Sequence, residues 1–303
     1  MRIVSKVCQS GGKKMPSGRL INEDGLTTFS VEYNGKKYDF VVVMDGATGL
    51  GKDYEILNGH TSAEWYVSFM MREMQIAFDR DPLLDLELVI DGCIEKAIQE
   101  IVAFERANNM TLEEYQKPSS ALALLRTDGE VTNLYLIGDV QAIVTYLDGS
   151  VINVDNPNQV ALQKLDHSVI HRMTELAKEK CCNVLDTRSD PEIEQMLKAN
   201  RAKKNTDCVG GYWVCGTTPN TARHGVCNRF QNADIDGLVL ATDGFDFAML
   251  GLDEKQLYRV ILKDGIEYTV NCIREMQEQD NLCNQFPRFK KGDDLTVVYT
   301  DYR

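Results

Sequence analysis

Asp45 and Asp243 each follow a nearly unbroken apolar run, Phe40–Met44 and Leu238–Thr242, and each precedes a glycine. Such a run reads as a strand buried on both faces, so each carboxylate ends at the rim of a core, where a charge needs a partner. Asp139, closing Tyr135–Asp139, and Asp293, opening Asp293–Tyr299, also fall at strand ends. With only four histidines in the chain, the partner that suits several carboxylates is a hard divalent cation with oxygen ligands, magnesium or manganese. The opposing reading is a set of turn formers. Asp-Gly occurs eight times, at Asp24, Asp45, Asp91, Asp128, Asp148, Asp236, Asp243 and Asp264, and the pair is ordinarily a turn.

Other chemistries find weaker support. Gly46 to Lys52 has the G-x-x-x-x-G-K spacing of a phosphate-binding loop, but Asp53 stands where a Ser or Thr should reach the magnesium. A helix start also waits until Thr61, too late to aim its amides at a phosphate. Cys208, Cys215, His224 and Cys227 carry zinc-type donors, yet their spacing is irregular and Tyr212–Cys215 looks like a strand. His167, His171 and Glu175 share a helix face without an H-E-x-x-H motif. No G-x-S-x-G supports a serine nucleophile.

Two antiparallel layers are needed to carry these strand ends. Asn34-Gly35 between apolar runs predicts a hairpin of Leu26–Tyr33 with Lys37–Met44. Thr61–Glu64 is a capping box opening one helix, and a second follows Asp81-Pro82 to about Ala107, with Leu86, Ile90, Ile94, Ala97 and Ile101 on one face. Strand-like runs at 121–126, 131–137, 142–146 and 151–154 form a meander. Residues 159–205 read as a polar helical excursion. Strands at 212–215 and 238–242, helices near 254–262 and 268–278, and a last strand at 295–299 complete the order. No Pro/Gly/Ser-rich linker divides the 303 residues, and there is no internal repeat.

The formal net charge of −13, from 33 basic and 46 acidic residues, argues against nucleic acid or an anionic membrane as partner. The nine cysteines, odd in number and without C-x-x-C, read as reduced thiols and place the protein in the cytoplasm. No secretory leader or membrane-spanning run is expected, and no sensor or kinase segment is fused on.

In order along the chain, these residues resemble the metal-dependent serine/threonine protein phosphatases of the protein phosphatase 2C (PPM) family, of the bacterial stand-alone type. Arg19-Leu-Ile-Asn22-Glu23-Asp24 resembles the opening R-x-x-x-E-D, Val43–Gly46 the central Asp-Gly, and Ser119–Leu124 the small-residue strand after the two helices. Leu136–Asp139 resembles the G-D segment, Leu165–Ser168 the D-H-S segment, Leu240–Gly244 the second Asp-Gly and Asp293–Thr296 the closing D-N-x-T. The resemblance implies an α+β fold, a four-layer αββα sandwich of two antiparallel β-sheets flanked by helices, in one domain over 1–303 with a helical flap at about 168–205. It implies hydrolysis of phosphoserine or phosphothreonine in a phosphoprotein or phosphopeptide substrate by a water activated between two Mn²⁺ or Mg²⁺ ions. Asp45, bridging, would hold both ions, with the carbonyl of Gly46 assisting. Asp243 and Asp293 would complete one ion, Glu23 would serve the other, and Asp24 would support that shell. Asp139 would belong to a third site, and Arg19 would hold the substrate phosphate through its rigid fork of donors. A monomer working beside a serine/threonine kinase system is expected.

Three positions depart from the family pattern. Ala47 stands where animal members carry a proton-donating histidine, Phe247 where an acid would complete the third metal site (Asp246 precedes it), and Asp294 where asparagine is usual. Two alternatives follow, a weakly active or inactive regulatory module on the same scaffold, and a phosphatase for small phosphate esters.

Overall fold

The computed structural model describes residues 1–51 and 54–303; Lys52 and Asp53, on which the phosphate-loop reading turns, lie outside the described residues. One sheet has the order β1 (Arg2–Gln9), β10 (Leu295–Asp301), β9 (Ile235–Ala241), β6 (Gln141–Tyr146), β7 (Val151–Asn153). The other has the order β2 (Gly25–Tyr33), β3 (Lys36–Ala47), β4 (Ser119–Thr127), β5 (Val131–Ile137), β8 (Val226–Gln231). Every pairing is antiparallel. This is the αββα sandwich that the sequence predicts.

The period-two geometry of a strand explains the unbroken apolar runs. Along β3, Val41 and Val43 meet Leu238, Leu240 and Val298 between the sheets. Phe40, Val42 and Met44 point the other way, onto α1 (Ser62–Arg80) and α2 (Leu86–Ala107). Val239, Ala241, Val297 and Tyr299 face outward under α5 (Glu254–Asp264) and α6 (Ile266–Gln279). The central strands are therefore buried on both faces, and a charge is tolerated only where they end.

The local signals hold in detail. Asn34 and Gly35 turn β2 into β3 with positive φ of 52° and 76°. Thr61 caps α1 by accepting the Glu64 amide, and the Glu64 side chain returns to the Thr61 amide at 2.9 Å. The helical excursion comprises α3 (Pro157–Lys180) and α4 (Pro191–Arg201), joined by a short 3-10 turn and packed on each other through Val169, Met173 and Ile193.

Some expectations fail. Tyr212–Cys215 makes only isolated bridges, Lys204 with Tyr212 and Ser120 with Cys215. Asp91-Gly92 lies inside α2 and Asp236-Gly237 inside β9, so these two pairs are not turns. Strands β1 and β8 have no counterpart in the sequence reading. Both are edge strands with alternating, partly exposed residues, and such strands carry no continuous apolar run.

Candidate functional site

The two sheets bring their strand ends together at one end of the sandwich. Asp45 and Gly46 are the last but two and last but one residues of β3, paired with Ala121 and Ser120 of β4. Asp139 sits in the crossing from β5 to β6, Asp243 just past β9 and Asp293 just before β10. These residues and Glu23 line a single open pocket of about 1160 Å³. The approach of the second chain segment is tight: a Cβ on Gly46 would lie 2.3 Å from the carbonyl oxygen of Glu23, whose position is fixed by the Gly46 amide at 3.1 Å.

The electrostatics are those of like charges held together. Burial, then Asp243, Asp24 and Asp139, push the Asp45 carboxyl well above its usual range. Burial and then Asp166 push Asp139 up to about 6. Asp243 is recessed yet open to the water of the pocket; the recess, then Asp293 and Asp139, push it up to about 7, and it shares a hydrogen bond with Asp45. Burial and Asp243 likewise raise Asp166, on α3, to about 7. Such a group of acids favours protons or cations.

The donor set is all oxygen and suits a hard divalent cation. Among the described residues, however, no three His, Cys, Asp or Glu side chains converge as a metal-binding cluster. The carboxylates share a pocket without being drawn to one point.

Asp24 is not on the pocket wall. It lies behind, buried, with Oδ2 accepting the Thr242 hydroxyl at 2.8 Å. Burial, then the charge of Asp243, hold its carboxyl well above the usual range. Arg19 also lies off the wall. Its Nη1 and Nη2 grip Glu64 Oε1 and Oε2 at 2.8 and 2.7 Å, and Nη2 reaches the Gly59 carbonyl at 2.5 Å, so the fork is spent on the start of α1.

The departures from the family pattern acquire structural settings. Phe247 is buried under α5 and α6 beside Phe245, and Asp246 is exposed and does not line the pocket. Ala47 does line it. Asp294 accepts backbone amides with both oxygens, from Gly11 and from Glu23, each at 2.7 Å.

Sequence reasoning missed several participants. Thr48 donates to Glu23 Oε1, Lys290 pairs with Asp293 Oδ1 at 2.6 Å, and Arg201 reaches Ser119 Oγ at 3.3 Å. Asp166 was legible as part of the D-H-S segment; Lys290 and Arg201, in polar stretches, carried no signal. The zinc candidates do not gather: His224 stacks on Trp213 with centroids 3.4 Å apart, Cys215 is buried and Cys227 contacts Glu87. Among the described residues, His171 pairs with Glu175, at 3.5 Å on an exposed helix face.

The chain matches the family described as Protein phosphatase 2C over residues 12–284. No curated protein matches it in sequence. Among solved structures it is similar to the serine/threonine phosphatase Stp1 from Staphylococcus aureus, at 15% identity and a TM-score of 0.54, covering 99% of this chain and 95% of that one. The S. agalactiae serine/threonine phosphatase superposes at 13% identity and 0.54, covering 97% of each chain. The Mycobacterium tuberculosis serine/threonine phosphatase PstP/Ppp does so at 14% identity and 0.50, over 98% and 97%. At these identities the likeness is one of fold.

Proposed function

The chain belongs to the protein phosphatase 2C family, a family of phosphatase enzymes, and on that premise we propose that it hydrolyses phosphoserine and phosphothreonine in proteins with two bound Mn²⁺ or Mg²⁺ ions. The observation that carries the reading is the gathering of Glu23, Asp45, Asp139, Asp243 and Asp293 on one pocket, where burial and mutual repulsion raise the carboxyls of Asp45, Asp139 and Asp243.

In this proposal Asp45 and the Gly46 carbonyl would hold the ions together with Asp243, Asp293 and Glu23, and Asp24 holds Thr242 at the turn into Asp243. When bound, the ions polarise phosphoryl oxygens and lower the pKa of a water. The chain's own residues set the geometry. The Glu23 backbone is pinned by Asp294 and by Gly46, and its side chain is oriented by Thr48 and, at 3.4 Å, by Lys13. Lys290 offsets the charge of Asp293. With Phe247 in the core and Asp246 outside the pocket, a third ion at Asp139 lacks the second acid that the resemblance assigns to it. The leaving-group proton must come from water or a pocket carboxyl, because Ala47 offers none. Asp166, raised to about 7, lies on the same wall.

One phosphatase domain over 1–303, a substrate-selecting flap at about 168–205, a monomeric state in the cytoplasm and a serine/threonine kinase as counterpart belong to the same proposal. No helix among the described residues is long and apolar enough to cross a membrane.

The test is hydrolysis of an aryl phosphate and a phosphothreonine peptide, with and without Mn²⁺, beside Asp45→Asn. Metal-dependent turnover lost in the variant, with preference for the peptide, is expected. Folded wild-type protein inert at millimolar Mn²⁺ would sink the reading and leave a binding scaffold.

A further inference from the structure

The pocket is larger than one phosphorylated side chain needs. Its volume of about 1160 Å³ exceeds the range of about 300–1,000 Å³ common for sites that enclose whole small molecules. The carboxylates account for one part of its wall. Another part is apolar and comes from the helical excursion.

Leu162, Leu165, Asp166 and Val169 of α3 follow the i, i+3, i+4, i+7 spacing and so share one helix face. That face changes role along its length. Val169 is buried in the apolar cluster of α3 and α4. Leu162 and Leu165 are half-buried, line the pocket and, among the described residues, pack into none of the apolar clusters. Asp166 locates the face, because the charges of Asp243 and Asp293 act on its carboxyl.

Three more residues complete this wall. Leu197 and Phe289 line the pocket while packing against the cluster of α3 and α4. Asn200 Nδ2, reaching the Leu165 carbonyl at 3.5 Å, ties the end of α4 to this stretch of α3. Tyr212 is 5% exposed and lines the pocket. Its hydroxyl has no hydrogen-bond partner among the described residues, although the charges of Arg201, Asp139 and Asp166 act on it.

Uncovered leucines and an unpaired phenol are both unfavourable, and one occupant relieves both. Leu162 lies about 6 Å along the helix axis from Asp166, since four residues rise 1.5 Å each. About two residues of extended chain span that distance. A peptide with its phosphorylated residue over the carboxylates therefore brings a neighbouring side chain to the leucines. The Tyr212 hydroxyl can then donate to a main-chain carbonyl.

We propose that this wall is a specificity subsite for a large apolar side chain, of the leucine or phenylalanine kind, within three residues of the phosphorylated one. The inference takes the phosphatase reading as its premise.

The test uses labelled peptides carrying a non-hydrolysable phosphonate analogue of phosphothreonine in an alanine background. Leucine is placed in turn at each of the three positions on either side. Fluorescence anisotropy in Mg²⁺ buffer measures binding to wild type, Leu162→Ser, Leu165→Ser and, as a control on an exposed face of α2, Leu88→Ser. Thermal melts would establish that each variant is folded. In wild type, leucine at one position should tighten binding about tenfold or more over alanine there, the scale of burying one large apolar side chain. Leu162→Ser or Leu165→Ser should cut that ratio to about threefold or less, and Leu88→Ser should keep it. A flat profile in wild type would overturn the proposal, as would a wild type that binds none of the peptides or a preference intact in both pocket variants. Hydrolysis of the matching phosphothreonine peptides, measured in parallel, separates the two claims. A leucine preference in a protein without turnover upholds the subsite while the phosphatase reading fails.

Discussion

Asp294 and Glu23 are joined through the backbone: Oδ2 of Asp294 accepts the Glu23 amide at 2.7 Å, while its Oδ1 accepts the Gly11 amide at the same distance. One carboxylate thereby ties the loop before β10 to the loop before β2, both of which reach the pocket. Asparagine would offer a single acceptor oxygen and would turn an NH₂ group toward the second amide. The two donors account for the acid at this position, which the sequence alone presented as an unexplained extra charge.

Asp294→Asn is accordingly expected to destabilise the fold by about 1–3 kcal/mol, the usual cost of leaving a polar group without its partner. It should also weaken Mn²⁺ binding, because Glu23 loses its anchor. Chemical denaturation and a metal titration measure the two effects. Unchanged values in both would show that the bridge does not position Glu23.

Removing a pocket carboxylate should have opposite effects on folding and on function. The charge of Asp243 raises the Asp45 carboxyl, and Asp293 and Asp139 raise that of Asp243, so Asp243→Asn relieves repulsion between like charges. Without metal, the variant should melt at a higher temperature than wild type at pH 8, while Mn²⁺-dependent hydrolysis falls by two orders of magnitude or more. A lower melting temperature in metal-free buffer would contradict the repulsion argument.

The same carboxyls predict a pH dependence. Asp139 stands at about 6 and Asp166 and Asp243 at about 7 in the folded chain, against about 4 for an unfolded aspartate. Between those values the folded state holds more protons than the unfolded one, so stability declines as pH rises. Metal-free protein should lose stability from about pH 4 to about pH 7 through these groups, with the full penalty present above that. Saturating Mn²⁺ competes with the protons and should remove most of the decline. Denaturation midpoints at several pH values, with and without metal, test both halves.

Two glycines provide a contrast in packing. A Cβ on Gly244 would lie 1.9 Å from the carbonyl oxygen of Asp294, whereas one on Gly92, in α2, meets nothing within 4 Å. Gly244→Ala should destabilise strongly or prevent folding, since backbone must move. Gly92→Ala should stabilise by about 0.5–1 kcal/mol through helix propensity. Melting temperatures that move in the same direction would argue against the close approach of the two strand ends.

Much of the architecture was legible because it rests on local signals. Asn34-Gly35 marks its hairpin, Thr61 and Glu64 mark the start of α1, and the runs Phe40–Met44 and Leu238–Thr242 mark strands buried on both faces. The weakly patterned edge strands β1 and β8 were not legible, because an edge strand buries half of one face and can be built from Arg2–Gln9 as readily as from an apolar run.

By itself, the sequence determined that Asp45, Asp139, Asp243 and Asp293 fall where strands end, since an acid without a partner is costly within a run buried on both sides, while Glu23 was marked only by the family resemblance. Only the tertiary structure decided that these ends share one pocket and that Lys290 and Arg201 join them. It also decided that Arg19 is committed to Glu64 and that Phe247 belongs to the core. The reason is physical. Burial of a strand is written in its own neighbouring residues, whereas the partner of a charge depends on which segments the fold brings together, as it brings Arg19 to Glu64 from 45 positions away.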